Sequence, residues 1–160
     1  MDADKYRNVM RHQAGAVTII AVGAAGSRTG LTATAVCSLT DSPPMVIACV
    51  NRNASAHAPI QTAQCFSINL LASDQSELAR RFSSKKLEGE ARFDADTWDM
   101  LVTGAPVLRN AIANLDCEVA HEHSFDTHTI FIGRVRDCRF REDVEPLLYF
   151  RGEFWYLQSS

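Results

Sequence analysis

Apolar positions along this chain follow the rhythm of strands more often than that of helices. Val17 to Val22 and Met45 to Val50 are short apolar runs bounded by turn residues, the pattern of core strands. Cys65 to Leu71 alternates instead, with Phe66, Ile68 and Leu70 pointing one way and Ser67 and Asn69 the other. Gly23 to Gly30 reads as a Gly-rich hairpin turn, and Leu31 to Leu39 as the single strand returning from it. The front of that strand has little side-chain bulk, so something flat can lie close to its backbone. Pro43 and Pro44 cannot donate backbone hydrogen bonds and mark a rigid corner. Ala113 to His123, His128 to Arg141 and Leu147 to Leu157 complete the strands, the last interrupted at Arg151, Gly152 and Glu153.

Helical spacing is confined to three places. Tyr6, Val9 and Met10 predict a short helix over Asp4 to Gln13, packed on the sheet. A second helix, Ala56 to Ala63, has Ser55 as its cap and Pro59 in its first turn. A third is capped by Asp74 with Glu77 as capping-box partner, and Leu78 and Phe82 form its buried stripe. From Ser83 to Pro106 periodicity is lost, and Phe93 and Trp98 are expected to pin an ordered loop. About six or seven strands with few helices predict a mainly β fold, an antiparallel barrel with attached helices.

With 160 residues, 46% of them hydrophobic, the chain can bury one substantial core, so a single domain is expected over residues 1–160. A net charge of −3 without a basic block argues against nucleic acid as a partner. The 5 cysteines include no Cys-x-x-Cys pair and lie mostly in apolar runs, which reads as small buried hydrophobes in a reducing cytoplasm. Lys5, Arg7 and Arg11 before an apolar stretch imitate a signal peptide, but Asp2, Asp4 and the β-branched run that follows argue for a strand. No apolar run is long enough to cross a bilayer.

Several stretches could carry chemistry. Gly23 to Gly30 faintly matches a dinucleotide fingerprint, but Thr32, Thr34 and Val36 favour a strand where that fingerprint needs a helix. Ser38 has neither a nucleophile elbow around it nor an identifiable base, which argues against a hydrolase. His121 and His123 share a strand face, and with His128 they leave a metal-dependent small barrel open as an alternative. Asn51 to Ser55 offers backbone amides, a hydroxyl and the adjacent Arg52 at the start of a helix, a plausible anion pocket.

Several motifs occur together and in order: Gly30-Leu-Thr-Ala-Thr-Ala-Val-Cys-Ser, Ser42-Pro-Pro, Val50-Asn-Arg-Asn-Ala-Ser-Ala-His57 and Phe66-Ser-Ile-Asn-Leu-Leu. Leu78-Ala-Arg-Arg-Phe82, Leu115-Asp-Cys-Glu-Val, His128-Thr-Ile-Phe-Ile-Gly-Arg-Val135 and Pro146-Leu-Leu-Tyr-Phe-Arg-Gly152 follow. In that order, from about Tyr6 to Leu157, the chain resembles the short-chain flavin reductases, the reductase components of two-component flavin-dependent monooxygenases. The resemblance implies a Greek-key split β-barrel of the FMN-binding type. It also implies a homodimer that uses NADH or NADPH to reduce FMN or FAD for a partner monooxygenase, and the cysteine usage places it in the cytoplasm. A flavin-binding split barrel without reductase turnover is the nearest alternative.

Carried over residue by residue, the resemblance puts Thr32, Ala33, Thr34 and Ala35 against the flavin ring. Val50, Asn51, Arg52 and Ser55 fall at the ribityl and phosphate portion, and Phe82 and Ser83 at a further flavin contact. His128 matches a histidine near flavin and nicotinamide and is the residue expected to act in catalysis, although Asp126-Thr127 stands where the family has Gly-Asp. Tyr149 and Arg151 match a motif at the mouth of the site, and no metal is implied.

Overall fold

A computed structural model describes residues 1–157. In chain order the elements are α1 (Ala3–Met10), β1 (Gly15–Ala16), β2 (Thr18–Val22), β3 (Thr29–Ala33), β4 (Val36–Asp41), β5 (Pro44–Asn51), α2 (His57–Ala63) and β6 (Cys65–Leu70). They continue with α3 (Ser76–Ser83), a 3₁₀ turn (Gly89–Arg92), β7 (Trp98–Met100), β8 (Pro106–Leu108), β9 (Ala113–Phe125), β10 (His128–Phe140), β11 (Leu147–Phe150) and β12 (Glu153–Tyr156).

One antiparallel sheet of 7 strands dominates, in the order β3-β2-β6-β9-β10-β5-β4. Its two edges are therefore β3 and β4, which are consecutive in the chain and separated only by Thr34 and Ala35. The sheet curls until those edges approach without pairing, which makes it a split barrel rather than a closed one. The single strand expected over Leu31 to Leu39 is thus two strands. At the break the Thr34 carbonyl accepts from Val36 N at 3.0 Å and the Ala35 carbonyl from Cys49 N at 3.0 Å.

Two cores explain why β2 reads as an unbroken apolar run. Ile20 and Val22 face the barrel interior with Val46, Ala48, Val50, Phe66, Ile68 and Phe131, while Ile19 and Ala21 face a second core with Leu78, Phe82 and Phe93. The polar face of β6 is also covered, contrary to a simple half-exposed strand. Ser67 donates to the Pro106 carbonyl, and Asn69 Oδ1 accepts from Leu108 N and Asn114 Nδ2, each at 2.8 Å. These side chains satisfy β8, which lies over them, so the alternation marks a second buried layer and not solvent.

Local capping departs from expectation. In α1 no residue is buried and Asp2 is the cap, so Tyr6, Val9 and Met10 do not join the core. In α2 the cap position is Ala56, with no side-chain bond, and Ser55 turns elsewhere. In α3 the cap is Gln75; Glu77 pairs with Arg80 at 2.7 Å in place of a capping box with Asp74, although Leu78 and Phe82 are buried as expected. Phe93 and Trp98 do pin the Ser83 to Pro106 segment, at 4.7 Å from each other and 5.0 and 5.6 Å from Phe82. Of the cysteines only Cys117 is buried, and there burial pushes the thiol up to about 12; Cys37 and Cys138 are exposed.

In the β9–β10 ladder the register shifts between Ile132 and Gly133, with Ala120 of β9 as the extra residue. A Cβ on Gly133 would lie 2.7 Å from Phe66 Cζ and 2.9 Å from Cys117 Cβ. Gly133→Ala is expected to lower unfolding stability by about 1–3 kcal/mol through overpacking. A denaturant midpoint equal to that of the parent would show that the barrel can expand there.

Candidate functional site

The site is built on the open edge of β3. At Gly30 a Cβ would meet the Ile20 carbonyl at 2.7 Å and Phe82 Cε1 at 2.9 Å, so only glycine lets the strand pass this close to α3. Thr32 Oγ1 donates to the Ala79 carbonyl at 2.6 Å and ties the strand to that helix. The Gly30 carbonyl points away from β2, because it accepts from Arg92 Nη1 at 2.6 Å. Strand alternation turns the main-chain N–H and C=O of Thr32 the same way, toward the open edge.

Two adjoining clefts run along this edge and share Thr32 and Ser83. The first, about 240 Å³, is mainly apolar, with Val17, Ala33, Tyr149 and Phe154 among its walls. The second, about 490 Å³, is the more polar of the two and is lined by Asn53, Ser55, Ser84, Lys85, Glu88 and Arg92 among others. The pair suits a flat apolar body with a polar tail.

Arg92 sets the charge of the second cleft. Its side chain is 7% exposed, and its hydrogen-bond partners are all neutral: the carbonyls of Leu87 and Ser84 at 2.8 Å, that of Gly30, and Ser55 Oγ at 3.5 Å. Burial lowers its pKa from the ordinary value, and the nearby Glu88 charge acts the other way. A guanidinium held this way carries its charge with no ion-pair partner, so an anion in the cleft is favoured. Glu90, in the same 3₁₀ turn, accepts from Arg28 N and Nε at 2.8 Å each, and Arg28 stacks on Phe93 at 4.6 Å.

The positions expected from sequence separate into two groups. Thr32, Ala33, Thr34, Phe82, Ser83 and Tyr149 line one or both clefts together with Ser55, whose hydroxyl faces Thr29 Oγ1 at 3.0 Å and Arg92. Ala35 lies just beyond, in a neighbouring cleft with Thr34, Cys37 and Cys49. The others lie outside these clefts. Val50 is buried in the barrel, and Asn51 Oδ1 accepts from Asn53 N at 2.8 Å, which shapes the turn. Arg52 is turned to the β9–β10 hairpin, where its N–H donates to the Thr127 carbonyl at 2.9 Å and Nη1 to the Asp126 carbonyl at 3.3 Å. His128 is exposed at the start of β10, opposite Asn51 in the ladder, with Nδ1 at 2.8 Å from Thr127 Oγ1. Arg151 is exposed at the β11–β12 turn and stacks on Phe150 at 4.9 Å.

The arginine that lines the polar cleft, beside Lys85, is therefore Arg92 and not Arg52. Sequence reasoning passed over Arg92 because it sits in the aperiodic segment; a lone Arg immediately before the pinning Phe93 was the available signal. Among the described residues, no three His, Cys, Asp or Glu side chains converge as a metal site, and His121, His123 and His128 do not form one.

Residues 10–158 match the family described as flavin reductase like domain, and the chain belongs to that family. Among its relatives is an FMN reductase (NADH) RutF of Agrobacterium fabrum, 40% identical over 93% of this chain and 85% of that protein. A 4-hydroxyphenylacetate 3-monooxygenase reductase component of Pseudomonas aeruginosa is 35% identical over 96% of this chain and 91% of its own. The Streptomyces globisporus NADH:FAD oxidoreductase SgcE6, solved with NAD and FAD fragments, superposes with a TM-score of 0.90 at 28% identity, covering 98% of this chain and 93% of that one. The clefts fit what such a family handles, since an apolar slot beside an unpaired strand edge leads to a buried cation.

The Arg28 bonds hold the Glu90 carboxyl down at about 2, from an ordinary 4.5. A depressed carboxylate adds stability that is complete above pH 4.5 and is lost as pH falls toward 2. Glu90→Gln is expected to be less stable than the parent at neutral pH and to show a flatter stability profile through that acid window. Parallel profiles in denaturant titrations at several pH values would contradict the assignment.

Proposed function

We propose that this chain is an NADH-dependent flavin reductase that takes FMN, or FAD, as the hydride acceptor and passes reduced flavin to a separate oxygenase. The observation that carries the reading is the unpaired edge of β3 with an apolar slot at one end and the buried, unneutralised Arg92 at the other. A bound flavin supplies a ring that accepts hydride directly from nicotinamide, so the chemistry asks the protein for orientation. Thr32 offers its main-chain polar groups to the ring edge, and Ala33 and Thr34 keep that edge close to the strand. Tyr149 and Phe154, packed at 5.8 Å, close the apolar end and exclude water. Arg92, Ser55 and Lys85 receive the phosphate.

The partner is the flavin-dependent oxygenase component of a two-component system. The reductase itself is read as a one-domain homodimer working in the cytoplasm. The dimer reading is supported by His128: it lines neither cleft of its own chain, yet it is exposed on a ribbon whose residues 121–128 are all exposed. A second copy is the nearest body that could bring it to a nicotinamide. Among the described residues, no helix is long and apolar enough to cross a membrane.

Steady-state oxidation of NADH and NADPH with FMN, FAD and riboflavin tests the reading, and protein that binds FMN yet leaves NADH untouched would overturn it. Arg92→Met is expected to raise KM for FMN on the order of 10- to 100-fold while leaving riboflavin nearly unaffected. Equal losses for both flavins would place the phosphate elsewhere. His128→Ala is expected to raise KM for NADH several-fold with flavin affinity preserved, and loss of flavin binding instead would remove it from the nicotinamide side.

A further inference from the structure

His57, the first residue of α2, is only 7% exposed, and its Nε2 lies 2.7 Å from the hydroxyl of the fully buried Thr129. Thr129 Oγ1 is in turn 2.9 Å from Ser124 Oγ on β9, and the imidazole packs on Phe131 at 5.5 Å. These polar groups stand at the rim of an apolar core, where Leu at 57 and Val at 129 would fill the space with no buried donors to satisfy. What the pair accomplishes is mechanical. The main-chain N–H of His57 donates to the Ala54 carbonyl at 3.0 Å, and Ala54 lines the polar cleft between Asn53 and Ser55. Thr129 follows His128, which pairs with Asn51, where the turn that forms that cleft wall begins. One side-chain contact thus spans from the cleft wall to the base of the projecting ribbon.

We propose that His57 is a positioning residue for flavin: through Thr129 Oγ1 it holds the turn at 51–55 and the ribbon base in one arrangement, and so keeps the polar cleft in its binding shape. This rests on the reductase reading for what the cleft binds. His57 touches no ligand itself, so its loss should appear as weaker binding and not as slower chemistry.

FMN affinity is read by quenching of flavin fluorescence, alongside NADH turnover and thermal midpoints. His57→Leu is expected to weaken FMN binding about tenfold, the loss of roughly one buried hydrogen bond, with kcat near the parent value. His57→Gln places an amide nitrogen near the Nε2 position and is expected to recover most of that loss. Thr129→Val removes the same contact while leaving the imidazole on Phe131, and it is expected to weaken FMN binding about tenfold as well, a readout that stands even if His57→Leu fails to fold. Parent-like FMN affinity in Thr129→Val, or a Gln variant no better than Leu at similar thermal midpoints, would overturn the proposal. A parent protein that binds FMN without oxidising NADH would overturn the reductase reading alone, because the affinity comparison does not depend on turnover.

Discussion

Between Ala33 and Val36 the chain leaves one edge of the seven-stranded sheet and joins the other. Three peptide steps reach at most about 11 Å, whereas edges six strand spacings apart in a flat sheet would lie roughly 29 Å from each other. The sheet has to curl until its edges nearly meet. The register shifts in β10 and β4, and the absent side chain at Gly133, are where that curvature is accommodated. Because the crossing residues pair with neither edge fully, the outer side of β3 keeps unpaired main-chain groups beside an apolar slot. An exposed sheet edge is usually a liability, and here a planar ligand with polar atoms on its rim is the partner that would satisfy it.

Electrostatics at the other end of the site follows from how Arg92 is held. Carbonyls orient a guanidinium without cancelling its charge, while a carboxylate would do both. The same 3₁₀ turn contains a carboxylate, Glu90, but that group is fully engaged by Arg28 on the β2–β3 connection. Two arginines reached from one turn are thus treated differently. Arg28 is neutralised and locks the turn to the barrel, and Arg92 is left charged and points its field into the cleft.

Much of the barrel was legible because strand runs and turn residues are local signals. The apolar run of β2, the alternation of β6, the proline corner before β5 and the interrupted C-terminal hairpin all form near their expected places. What local pattern could not show was tertiary. The break at Thr34 and Ala35 depends on which edge each half-strand pairs with, and Val36 onward reads as strand either way. What covers Ser67 and Asn69 was not readable, because polar alternation does not distinguish water from the backbone of another strand. The caps at Ser55 and Asp74 failed for a related reason: each pattern was locally sound, but Ser55 turns toward Thr29 and Arg92 and Gln75 occupies the α3 cap. The slot along β3 was readable from its small residues, whereas Arg92 was not, since its role depends on four carbonyl and hydroxyl partners spread over the chain from Gly30 to Leu87.

The contrast in rigidity between the clefts and the ribbon bears on how the site is completed. Residues that shape the clefts are held from behind: Thr32 by Ala79, Arg92 by three carbonyls, Phe82 by Phe93 and Trp98. The outer part of the β9–β10 ribbon is held from one edge, by Arg52 at the Thr127 and Asp126 carbonyls and by Gln61 at Glu122, while the side chains of residues 121–128 are exposed and Phe125 at the tip is 61% exposed. A surface that must recognise a fixed ring and phosphate gains from being preorganised, because ordering it on binding would subtract from affinity. In the dimer proposed above, His128 would arrive on a separate body and need not share that preorganisation. His57 and Thr129 sit where those two parts join, at the last buried position before the ribbon leaves the barrel. On the proposal made for His57, that joint couples the placement of the ribbon base to the turn at the polar end of the cleft.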